Sequence, residues 1–128
     1  NRSQVISKGN NIIYADAYNA NPTSMYAALL QFSKKPKDLK KIIVIGEMNE
    51  LGEFSEQEHK NLITEIEKYK FDLVFLVGKR FNQLRTSFKN FNTTDELFGF
   101  IKENKIENGR ILIKGSRTNQ LEKLIEVL

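Results

Sequence analysis

Lys41-Ile42-Ile43-Val44-Ile45-Gly46 is the stretch on which the fold turns. Its four central residues are β-branched, with no polar residue between them. A strand with one wet face alternates apolar and polar side chains. A continuous run of this kind belongs to a strand buried on both faces of a parallel sheet. Downstream, Asp72-Leu73-Val74-Phe75-Leu76-Val77-Gly78 is the next buried strand, and Arg110-Ile111-Leu112-Ile113-Lys114 is the last.

Helical patterns fill the gaps. Upstream, Met25, Leu29, Leu30 and Phe32 recur at roughly helical spacing, predicting a helix over 22–34. Asn21 is a good N-cap for it, and Pro22 suits the first helical position, where a missing N–H costs nothing. Ser55, with Glu58 three residues on, reads as a capping box opening a helix whose apolar stripe is Leu62, Ile63, Ile66 and Tyr69. Phe81, Leu84, Arg85 and Phe88 continue in helical period until Phe91-Asn92 breaks it. Thr94-Asp95-Glu96-Leu97 opens a helix reaching Lys102, and 120–127 forms the last helix. At the start, Val5-Ile6-Ser7 and Ile12-Ile13-Tyr14, joined by Lys8-Gly9-Asn10-Asn11, predict a β-hairpin. The fold class is therefore α/β: a doubly wound, mostly parallel sheet with helices on both faces and an N-terminal β-hairpin.

Composition sets limits. The 128 residues make one domain, long enough to bury about two-thirds of the unfolded surface. No cysteine is present, which excludes disulfides and cysteine-ligated metals and suits a reducing compartment. There is no apolar run of membrane-spanning length, and the first residues are polar, so neither a membrane partner nor a secretory signal is expected. The excess of 20 basic over 16 acidic residues is modest. It concentrates in Lys34-Lys35-Pro36-Lys37-Asp38-Leu39-Lys40-Lys41, a helix-to-strand connection where charge is expected to be solvated. Without aromatic platforms or a docking helix, no nucleic-acid partner is expected, and an anionic small substrate explains the same excess.

In open α/β sheets ligands bind outside the carboxyl ends of the strands. Four polar patches follow such ends: 16–21, 47–53, Gly78-Lys79-Arg80 and 115–117. Asp16 is either a turn-capping acid or an acceptor for a ribose hydroxyl. Asn19 and Asn21 suit a peptide or carboxylate group, although Asn21 is also the helix cap. Tyr18, an aromatic at a strand end, is expected in the core. Lys114-Gly115-Ser116-Arg117 joins two charges to a hydroxyl and a glycine, and Arg117 matches a carboxylate bidentately. The single histidine, His59, lies within a helix and is expected to be structural. Glu47, Glu50 and Glu53 lack the spacing of a metal loop, so no metal site is expected. No GxGxxG and no GxxxxGK[ST] occurs, so the chain has no evident means of holding a triphosphate by itself.

Three segments carry a family resemblance: Asp16-Ala17-Tyr18-Asn19-Ala20-Asn21-Pro22-Thr23-Ser24-Met25, Gly46-Glu47-Met48-Asn49-Glu50-Leu51-Gly52-Glu53, and Lys114-Gly115-Ser116-Arg117. In that order they resemble the DxYNANPxSM, GDMxELGE and KGSR motifs of the Mur ligases, in the form found in members that add D-alanyl-D-alanine to UDP-N-acetylmuramoyl-tripeptide. Asn1-Arg2-Ser3-Gln4 resembles the start of the same domain. Glu47 stands where the family usually has Asp, and Thr118-Asn119-Gln120 is atypical.

The resemblance implies a Rossmann-like C-terminal domain of a three-domain, cytoplasmic bacterial ligase of peptidoglycan precursor synthesis. ATP and Mg2+ would be held mainly by the central domain, and the UDP-sugar by the N-terminal one. Carried over by motif, Arg2 and Asp16 face the adenosine of ATP, and Asn19 and Asn21 line the cleft near the phosphates and acceptor. Lys114, Gly115, Ser116 and Arg117 hold D-alanyl-D-alanine. No catalytic residue is expected in this domain alone, and the isolated chain is expected to be inactive. The alternatives are a sister Mur ligase domain adding another amino acid, or a non-catalytic binding module with the same fold.

Overall fold

The computed structural model describes residues 3–128, so Arg2 lies outside the described residues. The chain forms β1 (Gln4–Lys8), β2 (Asn11–Asp16), α1 (Pro22–Ser33), β3 (Lys40–Gly46), α2 (Ser55–Tyr69), β4 (Leu73–Val77), α3 (Lys79–Asn82), β5 (Lys89–Phe91), α4 (Thr94–Glu103) and β6 (Gly109–Lys114). Three 3₁₀ segments are added, at Gly52–Phe54, Arg117–Asn119 and Leu121–Val127. The strands make one six-stranded sheet in the order β1-β2-β6-β3-β4-β5. Only the β1–β2 pair is antiparallel, and β2, β6, β3, β4 and β5 run parallel. The hairpin closes at Gly9, whose φ of 60° a glycine adopts without strain.

The core lies in two layers, one on each face of the sheet, and β3 shows how a single strand serves both. Ile42 and Val44 pack with Leu97 and Ile101 of α4 and with Leu121, Leu124 and Leu128. Ile43 and Ile45 pack on the other face with Met25, Leu29 and Phe32 of α1 and Leu62, Ile63 and Ile66 of α2. Successive side chains point to opposite faces. With both faces roofed, every position must be apolar, which is why the run shows no alternation. Each buried Ile or Leu contributes about 2 kcal/mol relative to exposure.

Buried Asn11 ties the C-terminus to this frame. Its Nδ2 donates to the Ile106 and Leu128 carbonyls at 2.9 and 2.8 Å, and its Oδ1 accepts from the Gly109 N–H at 2.8 Å.

The expected helices and strands are present, with three differences. Ser55 does not cap α2. The chain arrives already coiled in the Gly52–Phe54 turn, with Phe54 at the cap position and no side-chain cap bond. The helix expected through Phe88 stops at Asn82, and a short edge strand follows. Thr86 Oγ1 accepts the Phe88 N–H at 3.1 Å, a local side-chain turn that competes with continuing the helix. Phe81, Leu84 and Phe88 still pack on one layer, so their helical spacing recorded a shared face rather than a shared helix. The final helix is 3₁₀ and is entered through Gln120 at φ 53°.

Candidate functional site

The parallel strands bring the ends of β2, β3, β4 and β6 to one edge, and side-chain bonds knit the four polar patches there together. Lys114, at the end of β6, lies beside its register partner Asp16 of β2. Its Nζ donates to Asp16 Oδ2 at 2.6 Å and to the Asn19 carbonyl at 3.0 Å. The ammonium side chain is 3% exposed and the carboxylate 28%. An ammonium so withdrawn from water depends on that partner. Both side chains thus brace the 16–21 turn.

Asn21 caps α1 reciprocally. Its Oδ1 accepts the Ser24 N–H at 2.9 Å, and Ser24 Oγ accepts the Asn21 N–H at 3.2 Å. Asn19 is exposed. Tyr18, expected in the core, is instead 43% exposed, with the Arg117 guanidinium 5.7 Å from its ring centroid. The chain turns outward between β2 and α1, and buried Ala17 and Ala20 fill the inner positions that an aromatic would have needed.

Residues 115–119 form a compact turn. The Ser116 N–H and Oγ both donate to Asn119 Oδ1, at 3.1 and 3.0 Å. Asn49 Nδ2 donates to Ser116 Oγ at 3.0 Å and to Thr118 Oγ1 at 2.8 Å, joining this turn to the β3 loop. Arg80 completes the chain of contacts. Its Nη1 donates to Asn49 Oδ1 at 3.2 Å, and its backbone N–H donates to Glu47 Oε1 at 3.0 Å. Ser116 is buried, whereas Arg117 is exposed and forms no ion pair among the described residues. Of the expected KGSR group, Lys114, Gly115 and Ser116 therefore build the frame, and Arg117 projects a guanidinium fork from it.

His59 sets the β3 loop from below. Its Nε2 accepts the Met48 N–H at 2.9 Å and its Nδ1–H donates to the Ser55 carbonyl at 2.7 Å, which fixes the neutral tautomer. Burial holds its pKa below the ordinary 6.5. It is structural, as expected, but the structure it holds is that of the strand-end loop.

The sequence assigned no role to Asn49, Thr118 and Asn119, which hold the edge together. A signal was present for one of them: Asn119 stands three residues after Ser116, the spacing of a capping box. Asn49 left no local trace, because its partners lie 67 and 69 residues away. Beside the turn, a hollow of about 330 Å³ opens between Glu47, Thr93, Asp95, Asn119 and Lys123. Among the described residues no group of three or more His, Cys, Asp or Glu could hold a metal ion.

The fold is a doubly wound α/β domain with a polar, internally braced strand-end edge, from which Arg117 projects with no ion pair among the described residues. The family model described as "Mur ligase, glutamate ligase domain" matches residues 1–117, and the chain belongs to the Mur ligase family, as its C-terminal domain. It is 32% identical to the UDP-N-acetylmuramoyl-tripeptide--D-alanyl-D-alanine ligase of Borreliella burgdorferi, over 98% of this chain and 29% of that protein. The Bacillus subtilis ligase of the same name is 35% identical over 91% of this chain and 27% of its own length. A crystal structure of MurF from Acinetobacter baumannii superposes with a TM-score of 0.82 at 32% identity, covering 96% of this chain and 28% of that one. The chain thus spans less than a third of the length of these relatives.

Proposed function

We propose that this domain serves a three-domain, ATP-dependent amide ligase that joins D-alanyl-D-alanine to UDP-N-acetylmuramoyl-tripeptide in the cytoplasm. Residues 1–128 would be its C-terminal domain, presenting the dipeptide and closing over the ATP held mainly by the central domain, with the UDP-sugar on the N-terminal one. The observation that carries the reading is Arg117. It is an exposed guanidinium with no carboxylate partner among the described residues, mounted on a braced turn at the strand-end edge. In the reaction, ATP transfers its γ-phosphoryl group to the tripeptide carboxylate, giving an acyl phosphate and ADP. The dipeptide amine attacks the acyl carbon, phosphate leaves, and the amine loses a proton as the amide forms.

Arg117 suits the dipeptide carboxylate, leaving the amine free to face the acyl phosphate. Asn19 and Asn21 lie at the mouth of the same edge, near where the phosphates and acceptor would meet. Asp16, partly exposed beside Lys114, would reach the adenosine, with Arg2 as its expected companion. Mg2+ would be held by the central domain, and no acid cluster here is assigned to it. Exclusion of water by domain closure protects an acyl phosphate from hydrolysis.

The test is Arg117→Ala in the full-length ligase, with kinetics measured against each substrate. Losing a charge-assisted pair should lower kcat/KM for D-alanyl-D-alanine by about tenfold or more and leave the KM for ATP nearly unchanged. Unaltered acceptor kinetics would remove Arg117 from the site. Preference for a different amino acid as acceptor would instead place the chain in a sister ligase.

A further inference from the structure

At the opposite edge of the sheet, where the parallel strands begin, the Lys34–Lys41 run is not simply solvated. Lys41 and Arg110 are register partners on β3 and β6, and both are only 7% exposed. They lie side by side beneath the end of α1. Lys41 Nζ donates to the Ser33 carbonyl at 2.6 Å, one partner for a group with three protons to give. Arg110 donates to Tyr14 Oη at 2.6 Å and to Asp38 Oδ1 at 2.8 Å, and its buried Nε has no partner among the described residues. Burial and the neighbouring charges of Lys37 and Arg110 both press the Lys41 pKa below its usual value.

A hollow of about 500 Å³ opens directly onto Lys41. Lys37, Lys68 and Lys70 line it, Phe71 walls one side, and Asp72 is the one acid on the lining among the described residues. That carboxylate accepts the Lys41 backbone N–H at 2.7 Å. Lys68 pairs with Glu65, whereas Lys37 and Lys70 form no ion pair among the described residues. Positive charge is therefore concentrated around a concave space, with buried Lys41, whose ammonium donates to the Ser33 carbonyl, in its lining.

We propose that this hollow binds the phosphate or diphosphate group of a small anion, with Lys41 in its lining and Lys37 and Lys70 closing over it. Flexible ammonium groups act as point charges around a multivalent phosphate, whereas a carboxylate favours the planar arginine fork. The volume suits a small molecule. The site lies at the far end of the strands from Arg117 and does not depend on the ligase reading.

The test is amide NMR of the 128-residue chain titrated separately with inorganic pyrophosphate and with phenyl phosphate. Saturable shifts at residues 37–41 and 68–72 are expected with at least one probe. Tighter pyrophosphate binding assigns an inorganic anion, and tighter phenyl phosphate binding with shifts of the Phe71 ring assigns an organic phosphate. The surface variant Lys37→Gln/Lys70→Gln should weaken binding by about tenfold, and Lys41→Met should weaken it further. Unmoved amides at about 10 mM of both probes, or undiminished binding by the folded Lys37→Gln/Lys70→Gln chain, would overturn the proposal.

Discussion

His59 shows how one buried side chain sets the geometry of a surface it never reaches. It accepts the Met48 N–H and donates to the Ser55 carbonyl, with the Phe81 ring edge-on at 5.0 Å. Only the neutral ring can do both. Its folded pKa lies below the unfolded 6.5, chiefly through burial, so the unfolded chain takes up the proton first as pH falls. Its stabilising contribution is full at pH 7 and above, and is lost as pH drops below 6.5 toward the folded value. Urea unfolding between pH 7.5 and 5.5 should therefore show stability falling with acidification, by at most about 1.4 kcal/mol per pH unit from this group. His59→Gln should start less stable and lose that slope. A slope unchanged in the variant would assign the effect to other groups. Sequence alone marked this residue as structural, but its partner Met48 on a separate loop was not visible there.

At the scale of elements, the ends of β3 and β6 approach so closely that glycine is needed on both. A Cβ on Gly115 would meet Leu121 Cδ1 at 2.6 Å, Asn119 Oδ1 at 3.0 Å and Gly46 Cα at 3.2 Å. Gly9 in the hairpin is the contrasting case, with φ of 60° and nothing among the described residues within 4 Å of an added Cβ. Gly115→Ala should cost about 2 kcal/mol through overpacking and shift the amides of 116–119. Gly9→Ala should cost about 1 kcal/mol through backbone strain alone and leave those amides in place. Equal costs, or an unshifted turn in Gly115→Ala, would mean that the strand ends have room to spare. The central strands were legible because burial on two faces forces apolar residues at every position. β5 was not, since three residues of an edge strand, Lys89–Phe91, carry no pattern. Nor could helical spacing at Phe81, Leu84 and Phe88 reveal that the chain leaves the helix at Asn82.

Over the whole molecule, α2 and α4 carry opposite charges at their two ends. The helices end at the edge where the strands begin, and there Lys34, Lys35, Lys37, Lys68, Lys70 and Lys102 follow or close their last turns. Glu56, Glu58, Asp95 and Glu96 occupy first turns at the other edge, in keeping with the helix dipole. The convergence of the strand-end patches could be read from topology, but which of their side chains brace each other and which stay available could not. Lys114 and Arg117 look equivalent in sequence, yet one is buried against Asp16 and the other faces solvent. Strands of five to seven residues hold the two edges about 20 Å apart, well beyond the roughly 8 Å screening length at physiological salt. Ligands at the two edges should then bind independently. Pyrophosphate titrated into the Arg117→Ala chain at physiological salt should shift the amides of 37–41 and 68–72 with an affinity within about twofold of the unaltered chain. On the proposed function, the converse should hold for D-alanyl-D-alanine and the Lys37→Gln/Lys70→Gln chain, read at residues 114–119. An affinity change of about tenfold across the sheet would require the two edges to share a conformational equilibrium, because direct charge–charge coupling is screened out over that distance.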